Sequence, residues 1–112
     1  MIDLSISDCI FCKIIIGDIP SKKIYEDDDI IAFNDIKPHA RVHFLLVPKL
    51  HVNTLAECNK THQLLLGKLL LLAPQLAKEQ GLTGFKTLIN NGIEGGQEVF
   101  HLHAHVFGGG EV

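Results

Sequence analysis

Residues 101–107 read His-Leu-His-Ala-His-Val-Phe, an alternation of imidazole and apolar side chains that a β-strand sorts onto two faces. His101, His103 and His105 then project from one face, spaced about 6–7 Å along the chain. Leu102, Ala104 and Val106 face the other way, into a core. Strands favour β-branched and aromatic residues, so a row of imidazoles is an unusual decoration for a plain solvent face. Immediately upstream, Gly95-Gly96-Gln97-Glu98-Val99 begins with glycines, which let backbone N–H groups approach an anion closely. Imidazoles beside such a loop suit a phosphate whose charge shifts during reaction. Two other readings stay open on these residues alone: exposed polar positions on an amphipathic strand, or a three-histidine metal site.

The remaining chain alternates strands with one long helix. Lys22 to Glu26, Ile30 to Phe33, Val42 to Val47 (bounded by Pro38 and Pro48) and Phe85 to Ile89 predict strands. Residues 9–16 predict a short helix or turn, ended by Gly17-Asp18-Ile19-Pro20. Leu64, Leu65, Leu69, Leu72 and Leu76 recur at helical spacing, with Asn59 or Thr61 as cap and Gly81 as terminator. Pro74 is expected to kink this helix or begin a new turn. Leu66, Leu70 and Leu71 add a second apolar side, so the helix should pack on the sheet and also on a partner chain. The pattern predicts one α+β domain over residues 1–112 with a mainly antiparallel sheet.

Charge and size narrow the partners. A formal net charge of −3 excludes broad nucleic-acid binding, which needs a basic face to displace counterions. A chain of 112 residues leaves much surface exposed, which favours a homodimer. The stretch from Leu64 to Ala77 is interrupted by Lys68, Pro74 and Gln75, too short and broken to span a bilayer. Met1-Ile2-Asp3-Leu4-Ser5 lacks a basic segment before an apolar one, so no export signal and a cytoplasmic location are expected. In such a reducing compartment Cys9-x-x-Cys12 reads as a metal clip or a redox pair, or else as a reduced, unmetallated pair, and Cys58 as a free thiol.

The chain resembles the histidine triad superfamily. His101 to Phe107 matches its alternating histidine motif, and Phe33-Asn34-Asp35-Ile36-Lys37-Pro38 matches its Phe-x-Asp-Ile-x-Pro stretch. His43 to Val47 followed by Pro48-Lys49-Leu50-His51 is similar to its strand ending in Pro-Lys-x-His. Ile10-Phe11-Cys12-Lys13-Ile14-Ile15 with Gly17-Asp18-Ile19-Pro20-Ser21 matches its N-terminal segment. Gly95-Gly96-Gln97 before the triad and Gly108-Gly109 after it resemble the Hint branch, especially its bacterial members.

The resemblance implies a five-stranded sheet with a short N-terminal helix and one long helix, the sheet extended across a homodimer. It implies His103 as nucleophile, His105 near the phosphate and leaving group, and His43 in a relay behind them. It implies that Asp35 accepts hydrogen bonds from the ribose hydroxyls. Phe11, Ile14, Ile19, Phe33 and Ile36 would wall the base pocket. Asn90, Gly96, Gln97 and the backbone N–H of Val99 would cradle the phosphate. Glu98 departs from the serine of animal members, with no role assigned. A subset of the superfamily binds structural zinc at positions matching Cys9, Cys12, His51 and His101, with no catalytic metal required. The activity implied is hydrolysis of purine nucleoside 5′-phosphoramidates of AMP or GMP type. Alternatives are a dinucleoside polyphosphate hydrolase or nucleotidyltransferase, and a nucleotide- or partner-binding module with incidental hydrolysis.

Overall fold

The computed structural model describes residues 8–110. The stretch 1–5, read above for an export signal, lies outside the described residues, as do residues 111–112. The elements run α1 (Ile10–Ile15), β1 (Lys23–Glu26), β2 (Ile30–Asn34), β3 (Val42–Pro48), α2 (Gln63–Glu79), β4 (Lys86–Leu88) and β5 (Ala104–Gly108). One five-stranded sheet has the order β1-β2-β3-β5-β4, and every neighbouring pair is antiparallel. This is the expected α+β architecture.

Both faces of the sheet are covered, which explains why β2 reads as an unbroken apolar run. Ile30 and Ala32 pack under α2 with Phe44, Leu46, Leu69, Leu72 and Leu76. Ile31 and Phe33 turn to the opposite face and meet Phe11, Ile14, Leu45 and Val47. Each such fully buried aliphatic or aromatic side chain contributes about 1.5–3 kcal/mol. The β1–β2 turn is closed by Asp27, whose Oδ1 accepts from the backbone N–H groups of Asp29 (2.7 Å) and Ile30 (2.8 Å).

Asn59 caps the approach to α2. Its Oδ1 accepts from the Thr61 N–H at 2.9 Å, and the His62 Nδ1 accepts from the Asn59 N–H at 3.0 Å. Gly81, at φ +83°, ends the helix, with the Leu82 N–H donating back to the Ala77 carbonyl at 2.9 Å. Pro74 lies inside α2, and one 17-residue helix runs through it. Pro74 and Leu70 are both exposed, so the carbonyl that lacks its N–H partner belongs to the solvent side. The buried stripe is Leu69, Leu72, Ala73, Leu76 and Ala77. Leu64 stands 90% exposed and so does not belong to it, contrary to expectation, while Leu71 on the second apolar side is 74% exposed.

Candidate active site

The alternation in residues 101–106 works as the sequence implies, but the ladder starts later than expected. Ala104 and Val106 pack under α2, and the histidines turn to the opposite face, where His101 and His103 meet Phe11 of α1. Regular pairing begins at Ala104, opposite Leu46, because β3 ends just beyond it at Pro48. Upstream, the Leu102 N–H instead donates to the Val52 carbonyl at 2.7 Å. The histidines do not decorate a solvent face: His101 is fully buried, His103 is 7% exposed and His105 is half-buried.

Hydrogen bonds to the backbone set the protons on these rings. The Nδ1–H of His103 donates to the His101 carbonyl at 2.7 Å, which leaves Nε2 with a free lone pair. Burial holds the His103 pKa below the ordinary histidine value, so the ring is neutral near pH 7. Phe11 meets it edge-on, ring centroids 5.0 Å apart. On β3, the His39 N–H donates to His43 Nδ1 at 3.0 Å, so the proton of neutral His43 sits on Nε2. That Nε2–H donates to His105 Nδ1 at 3.0 Å, which puts the remaining His105 proton on its own Nε2. Asp35 Oδ2 lies 3.4 Å from His43 Nε2 and 3.8 Å from His105 Nδ1. Burial lowers both pKa values, and the Asp35 carboxylate works against that shift. Asp35, His43 and His105 are close enough to hold a cation, but the His39 N–H commits neutral His43 Nε2 to a proton and so takes that nitrogen out of a ligand set.

A second cluster lies beside the first. Cys9, Cys12, His51 and His101 bring four potential metal-ligating atoms within 4.8 Å of one another. His101 Nδ1 is 3.3 Å from Cys9 Sγ and 3.5 Å from Cys12 Sγ, and His51 Nδ1 is 3.2 Å from Cys12 Sγ. A tetrahedral zinc ion with bonds of about 2.3 Å to sulfur and about 2.0 Å to nitrogen sets its donors about 3.3–3.8 Å apart. The other ring nitrogens are already engaged: His101 Nε2–H donates to the Pro48 carbonyl at 2.7 Å, and His51 Nε2–H to Asn53 Oδ1 at 2.8 Å. Both Nδ1 atoms therefore offer lone pairs, the arrangement that orients imidazoles toward a metal. Burial and the neighbouring Cys9 push the Cys12 thiol up to about 12, a shift that a bound cation reverses. The donor set fits zinc.

Comparison with known proteins places these features. Residues 8–110 match the family model described as "Scavenger mRNA decapping enzyme C-term binding". The chain is 55% identical over 102 residues to Protein HitA of Neisseria gonorrhoeae, covering 90% of this chain and 95% of that protein. It is similar to the crystal structure of a HIT family hydrolase from Legionella pneumophila Philadelphia 1, with TM-score 0.89 and 42% identity over 91% of this chain and 93% of that one. The chain belongs to the histidine triad family. It is also 46% identical over 105 residues to the 14 kDa zinc-binding protein of Brassica juncea, covering 91% of this chain and 93% of that protein.

Within this histidine triad domain most of the expected site residues converge. Phe11, Ile14 and Phe33 are buried in the cluster on the α1 face, and Ile19 and Val99 pack against it. Ile36 does not join this wall: it is 92% exposed, because Asp35 Oδ1 accepts from the Lys37 N–H at 2.8 Å and the resulting turn points Ile36 outward. Gln97 differs from its expected role too. Its Oε1 accepts from the Gly92 N–H at 2.9 Å, and its Nε2 donates to the carbonyls of Asn53 (2.6 Å) and Val99 (3.0 Å). That side chain braces the loop and has no donor left for a phosphate. Asn90 is half-buried beside Gly96, and its amide has no hydrogen-bond partner among the described residues. A Cβ on Gly95 would lie 2.3 Å from the Asn91 carbonyl oxygen, so only glycine closes this loop. Glu98 is exposed, and its charge reaches His105. Cys58 is a half-buried free thiol. Sequence reasoning missed Pro48, Asn53 and the backbone of His39, none of which carries a side-chain pattern that announces its role.

Proposed function

We propose that this chain is a Hint-type hydrolase of purine nucleoside 5′-phosphoramidates, acting through a nucleotidyl intermediate on His103. The observation that carries this reading is the 2.7 Å bond from His103 Nδ1–H to the His101 carbonyl, which presents an unprotonated Nε2 from a buried ring. His103 Nε2 attacks the α-phosphorus and the bond to the leaving nitrogen breaks. For this step the His43–His105 pair has taken up one proton from solvent, a state favoured by the Asp35 carboxylate at 3.4 and 3.8 Å and by the bound phosphate anion. That proton passes from His105 Nε2 to the departing amine. Water next attacks phosphorus, returns a proton to His105 Nε2 and frees His103.

Asp35 reads the ribose hydroxyls, and Phe11, Ile14, Ile19 and Phe33 pack on a purine. Asn90, the glycines at 95 and 96 and the Val99 N–H receive the phosphate. A structural zinc held by Cys9, Cys12, His51 and His101 would lock the N-terminal segment to the catalytic strand, its four protein ligands leaving no position for substrate. The exposed Leu70 and Leu71 of α2, with Phe85 just before the edge strand β4 and Leu88 on it, support a homodimer that extends the sheet. No helix among the described residues is long and apolar enough to cross a membrane, and a cytoplasmic location is part of this reading. Turnover of an adenosine phosphoramidate against a diadenosine polyphosphate, with His103→Ala as control, tests the proposal. Preference for the polyphosphate would assign the chain to a different branch.

A further inference from the structure

The metal-ligand cluster and the nucleophile are joined by two short routes. The first runs through His101, whose ring faces the two sulfurs while its own carbonyl holds His103 Nδ1–H at 2.7 Å. The second runs through Phe11, which lies between Cys9 and Cys12 in sequence. Cys9 caps α1 by accepting from the Cys12 N–H at 3.3 Å, and this one-turn cage fixes where Phe11 points. The Phe11 ring meets His103 at 5.0 Å with planes 88° apart, and meets His101 at 6.0 Å. One hydrogen bond fixes one end of an imidazole but leaves the ring free to rock about it. An aromatic edge against the ring removes that freedom.

We propose that Phe11 is a positioning residue for the nucleophile, and that the four-ligand cluster sets the aim of His103 by fixing both Phe11 and the His101 carbonyl. This inference rests on the reading of His103 as nucleophile and of the cluster as a zinc site. Zinc is then structural in its coordination yet controls the first chemical step, because a small error in the attacking nitrogen's position costs rate steeply.

The test compares the full chain loaded with zinc, stripped by a chelator, and reloaded, together with Phe11→Leu, which keeps all four ligands. The readout is the nitrogen-15 spectrum of the His103 ring without substrate, supplemented by single-turnover nucleotidylation. Loaded protein should show one tautomer, with the proton on Nδ1 and slow to exchange. Stripped protein should show averaged tautomers, and reloading with zinc should restore the single one. Phe11→Leu should bind zinc fully, show averaged His103 tautomers without substrate, and at saturating nucleotide nucleotidylate about tenfold or more slowly, since a small misplacement of the attacking nitrogen is costly. Phe11→Tyr should restore the rate. Identical His103 signals with and without zinc, or an unchanged rate in Phe11→Leu, would overturn the inference. If the stripped chain unfolds, the Phe11→Leu measurement alone decides. A wild-type chain that never forms a nucleotidyl-histidine contradicts the proposed function instead, and the ring spectra still report on the coupling.

Discussion

His43 Nε2 and His105 Nδ1 lie 3.0 Å apart on adjacent strands, and the His39 N–H bonded to the far side of His43 gives that contact a direction. The proton points from β3 to β5, so the remaining His105 proton sits on Nε2, the nitrogen that the proposed mechanism turns to the departing amine. A backbone N–H thereby decides which nitrogen of His105 carries the proton.

That relay predicts a dependence on the leaving group. His105→Gln should slow release of an alkylamine by about 100-fold or more, the usual worth of a positioned general acid. It should slow release of a good leaving group such as a nitrophenolate far less. Matched losses for both would show that His105 does not deliver the proton.

The buried imidazoles predict a pH dependence of stability. Burial lowers the folded pKa values of His43, His103 and His105 from 6.5, so the unfolded chain binds protons more readily than the folded one. Their contribution is complete above pH 6.5 and is lost as pH falls from there through the lowered folded values. Urea unfolding of metal-free protein between pH 8 and pH 5 should show stability falling on the acid side. A flat or rising profile would show that these rings are not buried neutral.

Asp35 predicts sugar selectivity. A 2′,3′-dideoxy nucleotide should bind about tenfold or more weakly than its ribose parent, since a carboxylate deprived of its donors costs about 1–3 kcal/mol. Equal affinities would remove Asp35 from ribose recognition and leave only its electrostatic part beside His43.

The cysteine–histidine cluster predicts about one zinc per chain in protein purified without chelator. Cys12→Ser should lower the melting temperature and loosen α1. Metal-free protein of unchanged melting temperature would leave the cysteines as a reduced, buried pair.

What could be read from the sequence was whatever side-chain periodicity encodes. The period of two in His101 to Val106 separates imidazoles from core, and the leucine spacing after Gln63 marks α2. The pattern does not record that Leu102 bonds to Val52, or that the His39 N–H meets His43. Those are backbone contacts between distant segments, open to almost any residue type. Gln97 and Ile36 were misread for a related reason. A polar residue in a glycine loop is equally able to face a ligand or brace the loop, and an isoleucine next to a turn-forming Asp35 is aimed by the turn. Leu64 fits the helical stripe by spacing alone, but it lies in the first turn of α2, where it stands exposed while the buried stripe begins at Leu69.

The most direct test is to trap the intermediate. Chain mixed with a radiolabelled adenosine phosphoramidate and quenched in alkali should carry the label on His103, on a ring nitrogen, and His103→Ala should carry none while still binding AMP. Label on His101 or His105, or turnover retained in His103→Ala above a small fraction of wild type, would contradict the assignment of the nucleophile.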